Sequence, residues 1–101
     1  MIPTFPSKTF PNHYTIATGL YPPWNGIIDN YFYDFSFKEY FQTKTNRTGW
    51  YLGEPIWNTV QKYGLKSATY FWPGSESPVN GIGLQINLQY RFKFPLSVCL
   101  F

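Results

Sequence analysis

The sequence predicts an α/β fold in which helices cover a sheet. Three observations carry this. A helix-type segment at 54–64 runs directly into a strand-type run at 67–72. A second helix-type segment at 10–18 follows an extended, proline-marked start. Residues 84–94 alternate cleanly between apolar and polar side chains, the pattern of a half-buried strand.

Each element has a local reason. Pro3 and Pro6 bias the residues before them away from helix, so residues 1–8 read as extended. Thr9 stands where a helix-capping residue stands, and Pro11 suits a first turn. Nothing breaks a helix through Thr18, and Gly19 is placed to end it. Tyr21-Pro22-Pro23-Trp24-Asn25-Gly26 is a turn by composition. Ile27, Ile28, Tyr31, Phe32 and Tyr33 have strand propensity, interrupted by Asp29-Asn30. Residues 34–50 lack clear periodicity and read as mostly loop. Pro55 starts the second helix, Ile56, Trp57, Val60 and Tyr63 share one face of it, and Gly64 ends it. Ser67 to Trp72 form a short strand stopped by Pro73-Gly74.

Bulk properties exclude several classes. A chain of 101 residues is one domain or a piece of one. Aromatic residues, at 23%, outnumber charged ones, at 13%, which argues against disorder. So many rings imply a dense core or surfaces made to be covered. The net charge of +3 is spread without a run, so no nucleic-acid groove is expected. Cys99 is the single cysteine, which excludes an internal disulfide and a cysteine zinc cluster. The first residues lack the basic start and apolar stretch of a signal peptide. No apolar run reaches membrane-spanning length. Asn46-Arg47-Thr48 is a glycosylation sequon with Asn46 as acceptor.

The start of the first helix is where chemistry is expected. A helix start leaves free N–H groups and a partial positive charge, which favour a bound phosphate. Two readings of Thr9 stay open on the residues alone. It caps the helix, or, with Lys8 beside it, it is a nucleophile at a phosphate site. His13 is the single histidine and reads as structural.

The motifs resemble those of the ectonucleotide pyrophosphatase/phosphodiesterase family. The stretch from Phe5-Pro6-Ser7-Lys8-Thr9-Phe10-Pro11-Asn12-His13-Tyr14-Thr15 to Gly19-Leu20-Tyr21-Pro22 is similar to that family's nucleophile motif. Gly26-Ile27-Ile28-Asp29-Asn30, Tyr33-Asp34, Gly53-Glu54-Pro55-Ile56-Trp57, Gly64-Leu65-Lys66-Ser67, Phe71-Trp72-Pro73-Gly74-Ser75 and Asn80-Gly81 follow in the family's order. The likeness covers residues 3–81 as a partial catalytic domain, and 82–101 read as a divergent tail. The family usually carries Glu-Ser-His-Gly or a near variant where this chain has Pro23-Trp24-Asn25-Gly26, which puts that loop's local contacts in doubt.

The resemblance implies a fragment of an alkaline-phosphatase-like sheet covered by helices. It implies a zinc-dependent hydrolase of nucleotide phosphodiester or pyrophosphate bonds, some relatives acting on phospholipids instead. Thr9 would be the nucleophile, forming a covalent intermediate, and also a zinc ligand. Asn30 would donate to a phosphate oxygen. Phe10 and Tyr90 would sandwich the base, and Trp72 would line the nucleoside pocket. Two zinc ions are implied in the parent enzyme. Their aspartate and histidine ligands are expected outside this chain, which alone is expected to be inactive. The parent is expected outside the cell or anchored facing outward. Two alternatives remain: an aromatic-rich binding module with exposed tryptophans, and the non-functional translation of a partial gene.

Overall fold

A computed structural model describes residues 1–45 and 47–83, and the backbone of 86–88. Asn46, Tyr90, Cys99 and most of the expected strand at 84–94 lie outside the described residues. The order is α1 (Thr9–Thr18), α2 (Pro22–Asn25), β1 (Phe32–Asp34), β2 (Glu39–Phe41), α3 (Ile56–Lys62), β3 (Ala68–Tyr70) and β4 (Ile86–Leu88).

Helix α1 matches the proline and glycine punctuation, with one correction at its start. Lys8 is the capping position, in extended conformation, and its side chain makes no cap bond. Thr9 is therefore the first helical residue and not the cap. Gly19 ends the helix in the left-handed region at φ 71°, its N–H donating to the Thr15 carbonyl at 2.8 Å. The segment expected to be a plain turn contains α2, a single helical turn begun by Pro22 and ended by Gly26 at φ 84°. A Cβ on Gly26 would lie 2.7 Å from the Trp50 carbonyl oxygen, so that crossing needs glycine twice over. The departing residue Asn25 holds α2 in place. Its buried amide donates to the Leu20 carbonyl at 2.9 Å and to Thr15 Oγ1 at 3.2 Å. Its Oδ1 accepts the Ile27 N–H at 2.9 Å.

Residues 34–50 are not wholly loop, because β2 pairs antiparallel with β1, Phe32 opposite Phe41 and Asp34 opposite Glu39. Asp34 Oδ1 accepts the N–H groups of Ser36 and Phe37 at 2.8 and 2.9 Å and so shapes the turn between the strands. Phe32 and Phe41 stack with centroids 5.0 Å apart, and Phe41 is fully buried against Trp50.

Helix α3 forms where expected but presents a different face. Trp57 and Asn58 are buried, whereas Ile56 and Tyr63 are 48% and 81% exposed. Asn58 turns inward because its amide donates to the Val79 carbonyl at 3.0 Å, a partner remote in sequence. Strand β3 pairs in parallel with β4, Ala68 with Ile86 and Tyr70 with Leu88. Among the described residues the sheet is thus present as two two-stranded pieces. Phe10 and Tyr14 of α1, Phe41 of β2, Trp50, and Trp57 of α3 belong to one buried aromatic core among the described residues. Trp50 and Trp57 are 2% and 3% exposed, so the binding-module reading loses the platforms it needs; of its tryptophans only Trp24 is exposed.

Candidate functional site

The site is built on the first turn of α1. Asn12 fixes the loop that leads into it. Its Oδ1 accepts the Thr4 N–H at 2.8 Å, and its amide donates to the Pro6 and Lys8 carbonyls at 3.1 and 2.8 Å. Nothing local in the sequence marks that role, since all three partners are backbone groups of the preceding loop. Thr9 then enters the helix exposed. It lines a groove of about 1020 Å³ between residues 1–4 and the outer face of α1, shared with Lys8, Asn12, His13 and Ile16.

Asn30 is brought to the same turn from a distant loop. Its Oδ1 accepts the Phe10 N–H at 2.9 Å. That N–H belongs to the first turn and has no partner inside the helix. With its oxygen so engaged, the Asn30 side chain has two N–H donors left to offer. Lys8 reaches the neighbouring residue: its Nζ is 2.8 Å from each oxygen of Asp29. Asp29 Oδ1 also accepts the N–H groups of Asn30 at 2.6 Å and Tyr31 at 3.4 Å. The Lys8 hydrogen bond, aided by these backbone donors, holds the Asp29 carboxyl below the usual carboxylate range.

Trp72 arrives over His13, their rings edge to face at 5.2 Å. Its indole Nε1 is buried without a hydrogen-bond partner. His13 Nδ1 is 2.8 Å from the Thr9 carbonyl oxygen, which can only accept, so Nδ1 carries the proton. That is a structural use of the ring. Phe10 lies in the core: it is 8% exposed and meets Phe41 edge to face, the ring centroids 6.0 Å apart. Asn30 thus meets the first turn of α1, where Thr9 stands, Trp72 meets His13 one turn further on, and Phe10 is buried in the core. Tyr90 and Asn46 lie outside the described residues.

Among the described residues, no three His, Cys, Asp or Glu side chains come together to hold a metal ion. Asp29, the carboxylate closest in sequence to Asn30, is engaged by Lys8. The described residues thus do not make up the donor set that zinc needs. No described helix is long and apolar enough to cross a membrane.

Comparison with known proteins supplies the family. The sequence model of type I phosphodiesterase / nucleotide pyrophosphatase matches residues 1–96, well into the segment read as a divergent tail. The chain is 50% identical to human ectonucleotide pyrophosphatase/phosphodiesterase family member 1 over 98 residues, 94% of this chain and 11% of that protein. It is 55% identical to a venom phosphodiesterase of Macrovipera lebetinus over 95 residues, 90% of this chain and 11% of that one. It thus spans about a tenth of the length of these relatives. Its structure superposes on murine ectonucleotide pyrophosphatase / phosphodiesterase 5 with a TM-score of 0.81 at 30% identity, covering 88% of this chain and 25% of the murine one. The same fit, at 29% identity, holds for an inactive threonine-to-alanine form of the murine protein in complex with AMP. The α/β chain described here belongs to the type I phosphodiesterase / nucleotide pyrophosphatase family.

Proposed function

We propose that this chain is the nucleophile-bearing part of a longer enzyme that hydrolyses phosphodiester or pyrophosphate bonds of nucleotides. The observation that carries the reading is the pairing of Thr9, first residue of α1, with Asn30, whose oxygen is held by the next N–H of that helix. In this reading the Thr9 hydroxyl, the Asn30 amide donors and the positive end of the helix act together on one phosphate group. Support also comes from the AMP complex of the murine neighbour, whose inactive form lacks a threonine.

In this reading Thr9 Oγ attacks phosphorus. The Thr9 O–H bond breaks, the Oγ–P bond forms, and the bond from phosphorus to the leaving oxygen breaks, the proton leaving with that group. Water then attacks phosphorus, cleaves the Oγ–P bond and returns a proton to Thr9. Asn30 holds a phosphate oxygen as charge builds on it. We assign Trp72 and Tyr90 to the nucleoside side, with Phe10 backing the base from its largely buried position. We assign two zinc ions to the longer enzyme, with Thr9 the ligand from this chain. A bound dication lowers the pKa of a coordinated oxygen and steadies phosphoryl charge. The longer enzyme acts outside the cell, and the sequon at Asn46 fits that setting.

The test is steady-state kinetics of the longer enzyme on a chromogenic nucleotide ester. Thr9→Ala abolishes turnover, and Thr9→Ser retains part of it because a hydroxyl remains. Near-normal turnover in Thr9→Ala would refute the reading.

A further inference from the structure

We propose that Lys8 and Asp29 form a positioning pair, whose ion pair holds Asn30 against the start of α1 and so sets where its amide meets a phosphate group at Thr9. The proposal rests on the functional reading above. Its ground is geometric. The Lys8 ammonium lies 2.8 Å from both Asp29 oxygens, and one of those oxygens also takes the Asn30 N–H at 2.6 Å. A single carboxylate thus ties the residue before Thr9 to the backbone of Asn30. From the other side, Asn30 Oδ1 takes the Phe10 N–H at 2.9 Å. Residues 8–10 and 29–30 are therefore bridged twice, with Thr9 between the two anchor points.

This assigns Lys8 a role other than the obvious one. A lysine beside a phosphate-site nucleophile suggests a phosphate-binding cation. Here its charge faces both oxygens of a carboxylate. The two side chains are 50% and 30% exposed, so the pair adds little to global stability. Its effect is local, on the reach and angle of one amide, and small misplacements of that kind are costly to rate.

The experiment uses the longer enzyme and a nucleotide ester. Asp29→Asn and Lys8→Met lower kcat roughly ten- to a hundredfold with KM near the parent value. Lys8→Arg, which can also hold both carboxylate oxygens, restores most of the rate. In an Asn30→Ala background, Asp29→Asn causes no further fall in kcat, since it acts through Asn30. Hydrogen exchange at the Phe10 amide quickens in Asp29→Asn. A kcat loss of equal size in both backgrounds would overturn the proposal. So would a rise in KM alone in Lys8→Met, which would make Lys8 a direct phosphate ligand. If Thr9→Ala and Asn30→Ala are crippled while Asp29→Asn and Lys8→Met match the parent, only the positioning claim falls. If Thr9→Ala keeps its turnover, the functional reading falls first and this claim with it.

Discussion

The Oδ1 atom of Asn30 accepts the backbone N–H of Phe10 at 2.9 Å across 20 residues of chain. Helix α1 has no capping side chain of its own. Asn30 supplies one from a distant loop, and with its oxygen so engaged its two amide N–H donors are left to offer.

Asn30 therefore has two separable jobs. Asn30→Ala loses both: about 1 kcal/mol of stability from the lost cap and about a hundredfold or more in turnover of the longer enzyme. Asn30→Asp keeps an acceptor for the Phe10 N–H and places a negative charge at a helix start, which is favourable. It melts close to the parent yet turns over as poorly as Asn30→Ala, having no amide donor. Thermal melts and kcat on both variants check this; a fast Asn30→Asp enzyme would break the link to catalysis.

The Asp29 carboxyl, held below its usual range by Lys8, makes a pH prediction with a definite sign. A lowered folded pKa contributes stability above the unfolded value and loses it as pH falls through the folded one. The pair is exposed, so the contribution is at most about 1 kcal/mol. Urea unfolding should show Asp29→Asn less stable than the parent near neutrality. The gap closes as the pH drops below about 4, the ordinary carboxylate value. A gap that widened on acidification would contradict this.

Helix α3 tests the corrected packing. Trp57→Ala empties a core position and costs about 3–5 kcal/mol. Tyr63→Ala, on a side chain 81% exposed, changes stability by no more than about 0.5 kcal/mol. Chemical denaturation distinguishes the two at once, and equal losses would restore the face read from the sequence.

What the sequence disclosed and what it hid follow one division. Pro11, Gly19, Pro55 and Gly64 act on their own backbone, so the two longer helices were legible within a residue or two. The helical turn at Pro22–Asn25 uses the same proline and glycine that mark an ordinary turn, and composition does not separate the two. Strand β2 is three residues long and exists through its pairing with β1. The inward face of α3 is decided by the Asn58 bond to Val79, 21 residues away. The site divides likewise. Thr9 and the helix start are local, whereas nothing local marks the bond from the Phe10 N–H to Asn30, 20 residues away. The Lys8–Asp29 pair and the staple made by Asn12 had no local signature.

Phe10 needs a substitution that respects its burial. Phe10→Ala opens a core cavity worth about 3–5 kcal/mol and confounds folding with binding. Phe10→Leu keeps most of the volume and removes the ring. In the longer enzyme it weakens a nucleotide ester by roughly 1–3 kcal/mol, the worth of one stacked base. A small ester with no base is left unchanged. If both substrates suffer alike, Phe10 serves the core and Trp72 becomes the main candidate for the base platform.

The central claim, that Thr9 is the nucleophile, is tested most directly by trapping the intermediate. The longer enzyme is mixed with a nucleotide ester, quenched in acid, digested and weighed by mass spectrometry. The account predicts a nucleotidyl adduct on the peptide that carries Thr9, at the Thr9 side chain, and no adduct in Thr9→Ala. An adduct on another residue, or turnover by Thr9→Ala without any adduct, would contradict it.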